Sequence, residues 1–196
     1  MTLANKRRIE VPDHVKGLIF DCDGTLVDSM PLHMEAWGDA LQRFGALFDY
    51  DFFFSKKGMK EEEIVALYNT RYHAHLDPKE IVEAKHVYFW RHIHGVKPIE
   101  EVVDVALRYK ALLPMAIVSG GTRKSIREEL HVIGIQDLFQ TILTGDDPFK
   151  QKPAPDMFLE AARRIAVPPV QCLVFEDGDL GLEGARNAGM NVFDVR

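Results

Sequence analysis

The sequence is short of every feature that would hold a chain together or tether it from outside its own core. It has only two cysteines, Cys22 and Cys172, and neither has a neighbour at metal-ligand spacing. A disulfide scaffold is thereby excluded, and a cysteine-based zinc site is disfavoured. No apolar run approaches the roughly 18 residues of a membrane span. The lead-in from Met1 to Arg8 carries basic residues, but Asp13, His14 and Lys16 interrupt the stretch that a signal segment would need. A soluble, cytoplasmic protein with no membrane partner is expected. Basic charge is also in deficit, with 24 Lys and Arg against 30 Asp and Glu and a net charge of -6. This speaks against a nucleic-acid partner, while leaving room for a locally positive site that holds one anionic ligand. Gly-x-Gly-x-x-Gly, a Walker lysine and His-Glu-x-x-His are all missing, so the usual nucleotide-loop and zinc-peptidase chemistries have no footing. His73, His75, His86, His92 and His94 lack the carboxylate-rich surroundings of a metal centre.

What remains is 196 residues with 46% hydrophobic and 28% charged side chains, the balance of a soluble domain carrying at most a small insert. Folding at this length buries roughly 70% of the extended chain's surface, so the core needs no staples. Short apolar runs end abruptly in polar loops: Gly17 to Phe20 before Asp21-Cys22-Asp23-Gly24-Thr25, Met115 to Val118 before Ser119-Gly120-Gly121, and Gln171 to Phe175 before Glu176-Asp177-Gly178-Asp179. Thr141 to Thr144 and Met190 to Val195 are weaker versions. Continuous apolar runs of this length fit strands covered on both faces. Helical patterns lie between them at Arg123 to Val132, with Glu128 and Glu129 read as lying off the apolar stripe, at Pro155 to Ile165 and at Leu180 to Ala188. The alternation predicts an α/β fold, a Rossmann-like three-layer core with a mainly parallel sheet, its chemistry at the carboxyl ends of the strands. From Pro31 to Pro98 the pattern changes to helices alone, at Leu32 to Phe44, Lys60 to Ala74 and Pro78 to His94. The expected division is a core of residues 1–30 and 98–196 and an inserted helical cap of residues 31–97. Phe48, Tyr50 and the Phe52-Phe53-Phe54 triplet are read as cap core.

Asp21 and Asp23 end a buried strand at i, i+2 spacing, which directs both carboxylates to one side. Gly24 permits the turn that follows, and Thr25 can cap the next segment. Glu176 and Asp177 also follow a strand, and parallel neighbours bring them beside Asp21. Carboxylates so gathered repel one another, and a hard cation such as magnesium relieves them. Phosphoryl transfer gives a reason to combine a metal with a nucleophile here. Ser119, Gly120 and Gly121 can offer a hydroxyl and backbone amides to an anion. Lys152, stiffened by Pro153 and Pro155, is the natural phosphate contact, and Lys150 a solvated neighbour.

These stretches, in this order, resemble the four signature motifs of the haloacid dehalogenase-like hydrolase superfamily and span Gly17 to Gly189. The helical insert resembles the cap of the beta-phosphoglucomutase-like subgroup. Leu76-Asp77-Pro78, Pro114-Met115-Ala116, Gln171-Cys172, Phe175-Glu176-Asp177 and Ala188-Gly189-Met190 are similar to short bacterial sugar-phosphate phosphatases of the fructose-1-phosphatase type. The resemblance implies Asp21 as nucleophile and Asp23 as general acid and base. It implies Mg2+ held by Asp21, the Asp23 carbonyl, Asp177 and Glu176, with Ser119 and Lys152 on the phosphoryl oxygens. Gly178 departs from the family's usual serine, removing a hydroxyl but no expected metal ligand.

For the cap, the resemblance places His33 near Asp23 and the substrate, and matches Lys57-Gly58-Met59-Lys60 to the specificity loop. Lys60 falls where mutases of the subgroup carry an arginine, and lysine lacks that residue's bidentate fork. Lys85 and Arg123 are further substrate-binding candidates, Lys85 lying on a polar helix face. The expected function is a Mg2+-dependent phosphatase acting on a small phosphorylated metabolite, a hexose phosphate, as a monomer. The alternatives are a beta-phosphoglucomutase and, more distantly, a non-catalytic binding protein of the same fold.

Overall fold

The computed structural model describes residues 8–196; the basic lead-in, apart from Arg8, lies outside the described residues. Five short strands, β1 (Gly17–Phe20), β4 (Met115–Val118), β5 (Thr141–Leu143), β6 (Cys172–Glu176) and β7 (Asn191–Asp194), form one parallel sheet in the order β5-β4-β1-β6-β7. Their apolar runs are continuous because both faces are covered. Leu18, Phe20, Ile117, Leu173 and Phe175 point to one face and pack on α5 (Glu100–Tyr109) and α6 (Arg123–Val132). Ile19, Ala116, Val118 and Val174 point to the other and pack on α7 (Asp156–Arg164) and α8 (Asp179–Asn187). The chain is thus an α/β, Rossmann-like three-layer fold. β1 lies at the centre, with Phe20 opposite Ile117 on one side and Phe175 on the other. The loops after β1, β4 and β6 therefore emerge side by side, where the strand order reverses and such sheets bind ligands.

Helix α5 falls in a stretch to which the sequence reading assigns no element, and Val102, Val103 and Val105 give it a strand-like β-branched composition. All three are buried with Ala106, and packing on the sheet outweighs their weak helix propensity.

After β1 the chain passes through β2 (Val27–Asp28) and four helices, α1 (Met30–Arg43), α2 (Tyr50–Phe54), α3 (Glu61–Tyr72) and α4 (Pro78–His92), then returns through β3 (Lys97–Pro98). β2 and β3 pair antiparallel, Val27 opposite Pro98, so the outgoing and returning chains lie side by side. The helices enclose a cluster of their own around Trp37, Phe53, Ile64, Tyr68 and Ile81. Leu32, Ala36, Phe89 and Ile93 instead join the core cluster with Ile126 and Leu130, and the turn after α4 that carries Ile93 packs on α6. The aromatic run divides: Phe52 and Phe53 are buried, whereas Tyr50 is 52% exposed and Phe48 and Phe54 are also exposed. A one-turn helix can turn only part of so dense a run inward. Among the described residues, no helix is long and apolar enough to cross a membrane.

Candidate active site

The strand ends and the four-helix insert enclose a cavity of about 330 Å³. At its floor, the Asp21 backbone N–H still donates to the Phe175 carbonyl at 3.0 Å, continuing the ladder. The carboxylate that follows is therefore fixed by strand geometry. Lys152, reaching in from the loop before α7, donates to Asp21 Oδ1 and Glu176 Oε2, each at 2.7 Å, with all three side chains buried. Burial and the Glu176 charge push the Asp21 carboxyl well up despite Lys152. Burial disfavours the Lys152 ammonium, but the Asp21 and Glu176 charges outweigh it and hold its pKa above the ordinary lysine value.

Asp177 completes the acidic group. Oxygens of Asp21, Glu176 and Asp177 all lie within 4.8 Å of one another. Thr25 donates to Asp177 Oδ1 at 3.3 Å, and so braces a carboxylate rather than capping a helix. Three converging, buried oxygen donors fit a hard divalent cation. Two glycines make room for them. Gly24, at φ +80°, would place a Cβ 2.5 Å from Asp177 Oδ2, and Gly181, inside α8, would place one 2.0 Å from Glu176 Oε2. The Gly178 N–H donates to Glu176 Oε1 at 2.9 Å, so the loop orients that carboxylate by its backbone.

Asp23 lies beside this group on a network of its own. Its Oδ1 accepts from Ser29 Oγ at 2.5 Å and from His33 Nε2 at 3.0 Å. Burial pushes Asp23 up, but these partners outweigh it and hold it well below the carboxylate range. His33 Nδ1 lies 2.8 Å from Lys85 Nζ. A lysine ammonium only donates, so Nδ1 accepts and the ring proton sits on Nε2, facing Asp23. His33 is thus set as a donor to Asp23 and not as a metal ligand, although it lies within 4.8 Å of Asp23 and Glu129.

Ser119 is buried at the end of β4, and its Oγ accepts from the Gly121 N–H at 3.1 Å. Gly120 lines the cavity beneath the insert, where an added Cβ would come within 2.6 Å of the Gly58 carbonyl. Lys57 donates to Asp177 Oδ2 at 2.5 Å and to the Asp177 carbonyl at 2.9 Å. Lys60 lines the cavity from its exposed position before α3.

Two expected positions are corrected. Lys85 is 1% exposed, not solvated, and is absent from the cavity lining. It bonds Glu61 and His33 from behind, because the α4 face that carries Lys85 and Phe89 is turned onto Trp37 of α1. Arg123 is drawn away from the cavity by Asp147 and the Ile142 carbonyl, to the edge beside β5.

Three residues escape the sequence reading. Gly181 resembles any helix glycine until its neighbour is known. Glu61, in a run of three glutamates that no motif singles out, takes both Lys85 and His86. Glu129 is fully buried, corrected from its expected place off the apolar stripe; it follows Ile126 by three residues, on the same helix face. Its Oε2 accepts from Cys22 Sγ at 3.6 Å, its Oε1 has no partner among the described residues, and burial next to Asp23 pushes its carboxyl well up.

Known proteins resemble this chain in sequence and in fold. The haloacid dehalogenase-like hydrolase family matches residues 18–195. The chain is 35% identical to fructose-1-phosphate phosphatase YqaB of Escherichia coli, covering 92% of this chain and 96% of that protein. It is 29% identical to the beta-phosphoglucomutase of Bacillus subtilis, covering 90% and 81%. A solved hydrolase from Pseudomonas syringae shares the fold at a TM-score of 0.81 and 24% identity, over 91% of this chain and 84% of that one.

Proposed function

The chain belongs to the haloacid dehalogenase-like hydrolase family, and from that premise we propose that it is a Mg2+-dependent phosphatase of a small sugar phosphate, of the hexose phosphate type. The observation that carries this reading is the meeting of Asp21, Asp23, Lys152, Glu176 and Asp177 in one cavity. Asp21, Glu176 and Asp177 would hold the magnesium by their carboxylates, and Asp23 by its backbone carbonyl. When bound, the ion offsets the repulsion between Asp21 and the incoming phosphate.

Asp21 attacks phosphorus in line, forming an aspartyl-phosphate as the bond to the sugar oxygen breaks. Ser119 and Lys152 hold the phosphoryl oxygens, where their donors match developing negative charge. Asp23 gives a proton to the leaving oxygen, then takes one from the water that attacks the aspartyl-phosphate. In the ligand-free site the Ser29 and His33 donors favour its carboxylate form, the one the second role needs; the first role starts from the protonated form, which the negative charge of the incoming phosphate favours. Cys22 contributes packing. We place the enzyme in the cytoplasm, acting as a monomer.

The likeness to a beta-phosphoglucomutase keeps one second reading open, in which the phosphoryl group returns to a sugar hydroxyl. Phosphate release from a panel of metabolite phosphates with magnesium, beside an Asp21→Asn control, tests the choice. Release confined to one or two hexose phosphates, and lost in the control, supports the phosphatase. Conversion of beta-glucose 1-phosphate to glucose 6-phosphate with a bisphosphate primer, without release, establishes the mutase.

A further inference from the structure

Resting on the phosphatase reading, we propose that Glu61 selects the substrate by the end remote from the phosphate, accepting an uncharged, hydroxyl-bearing body and turning away a second phosphate. The insert's share of the cavity wall sets apolar side chains, among them Met34, Trp37, Phe53 and Ile64, beside polar ones, and Glu61 lines that wall at the start of α3. Its carboxylate has two partners: Oε1 accepts from Lys85 Nζ, and Oε2 from His86 Nε2 at 2.6 Å; His86 lines the cavity, whereas Lys85 does not. Burial pushes Glu61 up, but Lys85 and His86 outweigh it and keep it ionised.

The position of the compensating charge decides what a ligand meets. Lys85 is 1% exposed, and its donors go to Glu61 and His33, with Phe89 and Trp37 rings 5.0 and 5.6 Å from its nitrogen. The cation sits behind the wall and the acceptor-only carboxylate sits in it. An ionised carboxylate offers about four lone-pair sites. Two are taken here, and the others suit a sugar hydroxyl. A phosphate dianion has no proton to give them and adds like charge. The other cations of the insert do not reverse this balance. Lys57 is committed to Asp177, and exposed Lys60 is followed by Glu61 and by Glu62, which also lines the cavity.

The test measures kcat/KM for phosphate release from fructose 1-phosphate and fructose 1,6-bisphosphate, in wild type and Glu61→Gln. Thermal unfolding of each protein checks that it is folded. Wild type should prefer the monophosphate by at least about tenfold, and Glu61→Gln should narrow the preference by about tenfold, chiefly through a lower KM for the bisphosphate. Glutamine leaves Lys85 a neutral acceptor; if that variant fails to fold, the wild-type preference at low and high salt decides, since a charge-based preference shrinks with screening. Equal use of both esters by wild type, a preference unchanged in folded Glu61→Gln, or one insensitive to salt overturns the inference alone. Release from neither of these esters nor from any sugar phosphate of the panel overturns the sugar-phosphate reading, and this inference with it.

Discussion

The sheet core and the helical insert both bury charge, and they balance it differently. At the strand ends Asp21, Glu176 and Asp177 share one small volume. Even with Lys152 between two of them, burial and Glu176 leave the Asp21 carboxyl raised. In the insert, Glu61 takes two nitrogen partners and is lowered, while Lys85 lies between two acceptors. In the insert each charge has an opposite partner, whereas the core is left with an excess of carboxylates that a cation would balance. Buried ion pairs bring little net stability. The insert's network therefore sets architecture, and the core's imbalance suits it to the proposed metal and phosphate.

Removing a charge from the core tests this contrast most severely. Lys152→Ala should cost about 3 kcal/mol in unfolding free energy under chelation, because two buried carboxylates lose their cation. Activity should fall on the order of 10³-fold. Added magnesium should restore part of the stability, read from urea midpoints with and without chelator. Phe53→Ala should cost a similar about 3 kcal/mol by emptying the insert's core, yet magnesium should restore none of it. Equal rescue of both variants would erase the distinction.

Gly181→Ala probes the core more gently. Its new methyl must push the Glu176 carboxylate aside, so Mg2+ affinity by titration calorimetry should fall by about tenfold or more, with a smaller loss of stability. Alanine at exposed Gly95, where an added Cβ meets nothing within 4 Å, should leave affinity unchanged.

The smallest effect is in the pH dependence of the chelated protein. Asp21 and Glu129 have raised values, so the folded state takes up protons before the unfolded one, and stability grows as pH falls toward about 4 to 5. Glu61 and Asp23 are lowered, so below about pH 4 to 5 the unfolded state takes up protons first and stability is lost. Urea midpoints across pH 3 to 8 should pass through a maximum near pH 5, about 1 kcal/mol above the neutral value. A monotonic decline from neutral pH would mean that the core carboxyls are not under strain.

The same contrast governs what the sequence discloses. Asp21, Ser119 and Glu176 are each placed by backbone at the end of an apolar run, so strand pattern and loop composition locate them together. Arg123 to Val132 is a helix over the expected residues, because its period and its Thr122 cap are local signals. The insert gives fewer such signals. That Lys85 is buried depends on where α4 packs, and that Glu61 faces the cavity depends on how α3 meets α1 and α4. Gly181 is legible only once Glu176 is known to lie against it. Residues held by covalent proximity to a strand are readable from the chain, and residues held by packing partners far along it are not.

The central claim is that Asp21 itself takes the phosphoryl group. Rapid quench of the Mg2+-loaded enzyme after mixing with labelled sugar phosphate, followed by peptide mapping, tests it most directly. Protein-bound label is expected on the peptide containing Asp21, formed and lost at rates that support turnover, and absent in Asp21→Asn. Steady phosphate release with no bound label, persisting in Asp21→Asn, would contradict it.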